Sequence, residues 1–219
     1  MPDKAKLIQI EISERTGSVS ALAIVPKKAI ALLVLAHGAG AGMTHTFMEE
    51  VAAELAENGI ATLRYNFPYM EKESRRPDPP AVAEKTVSVV MENAHKLYPK
   101  LPIFAGGKSF GGRMTSQRIA KACPDYLNGI VFFGFPLHAI GKPSMDRAVH
   151  LADVKVPMLF LQGTKDKLAN ISMIKKVTKE LNDATLVSFE NADHSFKVSK
   201  QHIVPDLVRE AASWMRGLA

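Results

Sequence analysis

The sequence contains a single cysteine, Cys123, among 219 residues, which excludes an intrachain disulfide framework. Its setting, "KACPDY", puts it at an expected helix end before Pro124, where it reads as a buried structural thiol rather than a reactive one. Long apolar runs are also missing. The best, Ala29 to Ala36, stops at His37 and a glycine-rich segment, far short of the roughly 20 residues of a membrane helix, so no membrane partner is expected. The opening "MPDKAKLIQIEISERTG" alternates Leu7, Ile8, Ile10 and Ile12 with Glu and Lys and has no secretory h-region or cleavage site, which points to a cytoplasmic location. There is no block of like charge either. The net charge of +6 comes from basic residues interleaved with acids, with only "ESRRPDPP" locally basic and no basic–aromatic interleaving, so nucleic acid is not an expected partner.

What is present is the composition of an ordinary core, 47% hydrophobic and 23% charged, with no linker or internal repeat to divide it, so a single domain over 1–219 is expected. Short branched apolar runs alternate with longer amphipathic stretches. That pattern predicts an α/β fold with a mostly parallel central sheet and helices on both faces. Leu7 to Ile12 and Val19 to Val25 flank Thr16, Gly17 and Ser18 as an opening antiparallel hairpin. "AIALLVLA" does not alternate, as expected for a strand buried on both faces. Further strands are predicted at 60–65, 101–105, 129–133, 158–162 and 185–189. Helices are predicted at 45–58 (closed by Gly59), 81–97, 110–122, 171–181 and 202–215. The proline-rich Arg75 to Val82 reads as a loop that starts a helix.

The segment "AGGKSFGGR" places Gly107, Lys108, Ser109, Phe110 and Gly111 in the pattern G-x-S-x-G between a predicted strand and a predicted helix. A sharp strand-to-helix turn there exposes the Ser109 hydroxyl, and the helix start leaves the Phe110 amide free to stabilise an oxyanion. The bland alternative is a glycine-rich turn in which Ser109 merely caps the helix.

A neutral serine needs a base, and the base needs an acid to orient it. Asp166, in "GTKDKL", and His194, in "ENADHSF", each follow the carboxyl end of a strand, the rim where open α/β sheets build their sites. Among the other histidines, His37 belongs to the loop after the first long strand. His95 and His202 lie on helical patterns, His45 begins a helix and His150 sits in a connection, leaving His138 as a distant second base. Asp193 is the alternative acid, but its position next to the histidine disfavours it. "HGAGAGM", His37 to Met43, supplies the second oxyanion donor, with the Ala39 amide first and Gly40 next. It lacks the spacing of a phosphate-binding loop.

The order of strand, "HGAG", elbow, Asp166 and His194 resembles the α/β-hydrolase superfamily, in particular its small, lidless dienelactone-hydrolase-like group. "GGKSFGGR" together with "NFPY" is similar to a branch of predicted hydrolases that includes a testis-expressed protein and a nonspecific-lethal histone-acetyltransferase complex subunit. Dienelactone hydrolases carry cysteine where this chain has Ser109. The resemblance therefore implies the fold and a serine hydrolase that cleaves a small acyl ester, with no cofactor and no metal, but not the lactone. A non-catalytic interaction module on the same scaffold, or a peptidase or thioesterase using the same residues, are the alternatives.

The stretch between Phe133 and Met158 is too short for a large lid, so a shallow pocket is expected, walled by Phe67, Tyr69, Met70, Phe135 and Leu137. Lys108, with Arg64 and Arg113, either braces the site or offers positive charge to an anionic substrate.

Overall fold

In the computed structural model, which describes residues 5–74, 76–199 and 201–219, the chain opens with a hairpin of β1 (Lys6–Ser13) and β2 (Gly17–Ile24). It then alternates strand and helix: β3 (Ala31–Ala36), α1 (Thr46–Glu57), β4 (Ile60–Tyr65), α2 (Pro68–Glu71), α3 (Pro80–Leu97), β5 (Ile103–Lys108), α4 (Phe110–Lys121) and β6 (Leu127–Phe133). A 3₁₀ turn over Asp146–Asp153 precedes β7 (Met158–Gly163), α5 (Ile171–Glu180) and β8 (Ala184–Phe189). A two-stranded ribbon of β9 (Lys197–Val198) and β10 (Gln201–His202) leads into α6 (Val204–Arg216). Residues 1–4, at the start of the alternating N-terminal stretch, and Arg75, at the start of the proline-rich loop, lie outside the described residues.

The main sheet runs β1-β2-β4-β3-β5-β6-β7-β8, parallel from β4 to β8, with β2 antiparallel to both β1 and β4. From β3 the chain goes first to one side and then to the other, so β3 and β5 are neighbours at the switch point, where a crevice opens beyond the strand ends. The even apolarity of β3 is explained by two cores. Leu32, Val34 and Ala36 face α3 and α4, while Leu33 and Leu35 face α1 and α6. Phe132 and Phe133 divide in the same way on β6. Only the short 3₁₀ turn and a bridge between Ala139 and Lys142 fill the stretch after β6, so there is no large lid.

Several boundaries differ from the sequence reading. β5 runs on to Lys108, because Gly106 and Gly107 pair with β3 and β6 instead of starting a loop. "NFPY" initiates a one-turn helix, α2, with Pro68 at its first position. His202 falls in β10 and not on the last helix, which begins at Val204. Cys123 lies just past α4 and is half-buried, not enclosed.

The elbow depends on close backbone contact. A Cβ on Gly107 would lie 2.2 Å from the Ala36 carbonyl oxygen, and one on Gly111 would lie 2.6 Å from the same atom. Gly107→Ala is therefore expected to destabilise the fold by about 1–3 kcal/mol through overpacking, seen as a lower urea midpoint. An unchanged midpoint would mean that β3 and β5 do not approach this closely.

Candidate active site

Ser109 follows β5 and caps α4 with φ 49° and ψ −111°, a strained backbone that only the surrounding packing can hold. Its amide donates to the Phe133 carbonyl (3.3 Å), tying the turn to β6. The turn aims the hydroxyl at a histidine from a different strand end: Ser109 Oγ lies 2.9 Å from His194 Nε2.

His194 sits between β8 and β9, and its Nδ1 lies 2.7 Å from Asp166 Oδ2. Asp166 is buried after β7 and is held on both oxygens. Oδ2 also accepts from Gln162 Nε2 (2.6 Å), and Oδ1 accepts from the Leu168 amide (2.7 Å). Gln162 in turn accepts from the Phe135 amide (3.0 Å), so its side chain cannot swing away. An acceptor at Nδ1 fixes the imidazole with its proton there, leaving Nε2 to accept from the serine. Asp193 shapes the loop instead, since its Oδ1 accepts from the Ser195 and Lys197 amides.

The loop after β3 is braced from within. The Gly38 carbonyl accepts from His37 Nδ1 (2.8 Å), the Tyr69 hydroxyl (3.4 Å) and the Ala41 amide (3.3 Å). His37 Nε2 accepts from the Phe67 amide (3.0 Å), which assigns the proton to Nδ1. Because C=O and N–H of one trans peptide point in opposite directions, anchoring the Gly38 oxygen turns the Ala39 amide away from that anchor. Neither the Ala39 nor the Phe110 amide meets an acceptor among the described residues. Gly40, the second candidate donor, follows on the same loop in the left-handed conformation, with φ 72°. Arg64 is buried behind the loop, donating to the Met43 carbonyl (3.0 Å) with Glu49 at 3.7 Å, and Asn66 accepts from the Met43 amide (2.8 Å).

Ser109 and His194 open on a cavity of about 420 Å³ whose apolar wall comes from Ala41, Phe47, Met48 and Leu168, with His45 and Lys197 also lining it. Of the expected pocket residues, Lys108 lines this cavity and the others are elsewhere. Phe67, Phe135 and Leu137 are fully buried in the core on the α3–α4 face, Tyr69 is buried beneath the Gly38 loop, and Met70 packs against that core. They follow strand ends, as expected, but their side chains point into the protein. The wall comes instead from the first turn of α1, whose capping residue His45 accepts from the Phe47 amide.

Of the three cations, Arg64 is the brace just described. Arg113 has Arg147 and His150 as its electrostatic neighbours. Lys108 lines the cavity, and its ammonium donates to the His194 carbonyl, which directs one of its three N–H bonds at the main chain. Burial lowers its pKa to about 8, against the opposing pull of Asp166 and Asp193.

A second serine–histidine contact, Ser116 Oγ to His150 Nε2 at 2.8 Å, joins α4 to the 3₁₀ turn, and there Ser116 is fully buried and its hydroxyl donates to the Arg113 carbonyl. His138 is structural, with Nε2 accepting from the Asn170 amide. Among the described residues, no three His, Cys, Asp or Glu side chains are grouped to hold a metal ion, and no helix is long and apolar enough to cross a membrane.

A family model described as an alpha/beta hydrolase domain matches residues 29–213. Among solved structures, a dienelactone hydrolase from Anabaena variabilis superposes with a TM-score of 0.81 at 20% identity, covering 100% of this chain and 99% of that one. Est1E from Butyrivibrio proteoclasticus, solved with ferulic acid bound, gives 0.77 at 16% identity over 96% and 98%. An a/b serine hydrolase without lid from Xanthomonas campestris gives 0.68 at 18% over 99% and 92%. At these identities the likeness is one of fold.

His37 makes stability depend on pH. Burial lowers its pKa from 6.5 to about 4, so the unfolded chain takes up a proton on this residue before the folded protein does. Stability is complete above pH 6.5 and is lost as pH falls toward 4, by about 3 kcal/mol for this group. His150, lowered to about 4 chiefly by burial, acts in the same window. Urea midpoints measured across that window should fall with acid, and His37→Gln should flatten the slope in part. An unaltered slope in the variant would remove His37 as a cause.

Proposed function

We propose that this chain, which belongs to the alpha/beta hydrolase domain family, is a serine hydrolase that cleaves a small carboxylic ester through an acyl-enzyme. The observation that carries the reading is the continuous chain from Ser109 Oγ to His194 (2.9 Å) and from His194 to Asp166 (2.7 Å), beside two unengaged amides. Ser109 Oγ attacks the ester carbonyl as its proton passes to His194 Nε2, and Asp166 stabilises the imidazolium. The carbonyl oxygen becomes an oxyanion that accepts from the Phe110 and Ala39 amides. Collapse of this intermediate breaks the bond to the alcohol, which leaves with the proton from His194. A water molecule then repeats the sequence on the acyl-serine, giving the carboxylic acid and free Ser109.

The apolar wall of Phe47, Met48 and Leu168 favours a short acyl group, and the absence of a large lid disfavours long lipid chains. Structural neighbours described as esterases support this substrate class. The assembled Ser109–His194–Asp166 chain argues against a purely non-catalytic module.

Ser109 should be the residue labelled rapidly by a fluorophosphonate, and Ser109→Ala should abolish both labelling and hydrolysis of p-nitrophenyl acetate. Persistence of either would overturn the reading. Asp166→Asn should lower kcat on the order of 10⁴-fold while the protein stays folded, because it favours the wrong imidazole tautomer. A comparable loss on Asp193→Asn, with Asp166→Asn active, would reassign the acid.

A further inference from the structure

Lys108 immediately precedes the serine, yet its ammonium donates to the main-chain carbonyl of His194, in a different loop. Two rings enclose the same point. Nζ lies 5.8 Å from the ring centre of Phe47, on α1, and 5.2 Å from that of Phe196, two residues past His194. Both distances are within the range of cation–π attraction. Those rings stack on each other with centroids 6.0 Å apart. Gly134, with φ +75°, leaves the remaining space: a Cβ there would lie 3.2 Å from Nζ and 3.6 Å from His194 Cε1, so ammonium and imidazole are within about 7 Å of each other.

Packing alone has no need of this charge. A methionine would fill a similar volume without the cost of desolvating an ammonium, a cost expressed in the lowered pKa of the lysine. What the ammonium adds is directional. Two consecutive residues at the end of one central strand grip His194 at two points, Ser109 at the ring and Lys108 at the backbone.

We propose that Lys108 is a positioning residue of this site: it pins the His194 main chain so that Nε2 meets Ser109 Oγ, and its charge opposes protonation of the imidazole, extending activity toward acid. The proposal rests on the reading of Ser109, His194 and Asp166 as hydrolytic machinery. The other charged or titratable groups that face His194 are Asp166, which favours the imidazolium; Asp193, whose Oδ1 is occupied by loop amides; and His45 and Lys197 at the cavity.

The test is kcat and KM for p-nitrophenyl acetate against pH in Lys108→Met, Lys108→Gln and Lys108→Arg. Lys108→Met should lower kcat about 100-fold with little change in KM, the effect of a misplaced base. It should also move the acid limb of kcat/KM upward by about one pH unit. Lys108→Gln should move the limb likewise, while Lys108→Arg, which keeps the charge, should leave it in place. A filler role would lower thermal stability and leave the limb alone, and a wild-type limb in Lys108→Met or Lys108→Gln overturns the proposal.

Should the uncharged variants fail to fold, graded acetylation of the wild-type protein with acetic anhydride decides. Inactivation should follow acetylation of Lys108, arriving after that of Lys197, whereas full activity with Lys108 acetylated overturns the proposal. If Ser109→Ala keeps its activity, the hydrolase reading itself fails. If Ser109→Ala is inactive while the Lys108 variants match wild type, only the positioning role fails.

Discussion

The site depends on how closely two parallel strands lie at the switch point of the sheet. Ala36 at the end of β3 pairs with Gly107 near the end of β5, and the Ala36 carbonyl occupies the space that side chains on Gly107 and Gly111 would take. That contact sets the loop after β3 beside the turn after β5, where a Cβ on Gly38 would lie 3.8 Å from Ser109 Cβ. Move the strands apart and the Gly38 loop leaves the serine even if every side chain of the site remains. The sheet therefore does more than support the site, because it fixes the separation of the two segments that the proposed reaction would use.

Around this contact the protein buries polar groups at some cost and satisfies them in one direction. His37, Tyr69, Arg64 and Asn66 all reach main-chain atoms of the loop between β3 and α1. Gln162 and the Leu168 amide hold the Asp166 carboxylate. In both cases a short irregular segment, which would otherwise be mobile, is held by hydrogen bonds that protein interiors make strong and leave expensive to break. The rigidity of the loops is thus imported from β4, α2 and β7.

Much of this was legible in the sequence. The unalternating β3, the G-x-S-x-G turn and the acid and histidine after successive strands follow from local pattern, because strand period and glycine spacing are local physics. The contact between Ser109, His194 and Asp166 was legible as an order along the chain, although its distances belong to the fold. The pocket was misread for an equally physical reason. Residues that follow a strand end lie near the rim, but whether Phe67 or Phe135 points outward depends on the helix or turn entered next, and both turn inward. Gln162 gave one faint signal, a lone amide in the apolar strand "MLFLQG". Lys108 was visible as an oddity beside the serine, and only the fold reveals that its partner is the His194 backbone.

Phe47 belongs at once to the core on the α1–α6 face, to the wall of the cavity and to the pair of rings beside Lys108. A side chain with three such obligations cannot be trimmed for a larger substrate without also loosening the helix packing and the surroundings of the ammonium. Met48 shares the first two of these but not the third, and Leu168, from the loop after β7, is outside that core altogether. Natural drift or laboratory evolution toward bulkier ligands is thereby channelled: of these three side chains, Leu168 is the one that can be changed with the fewest consequences for the helix packing.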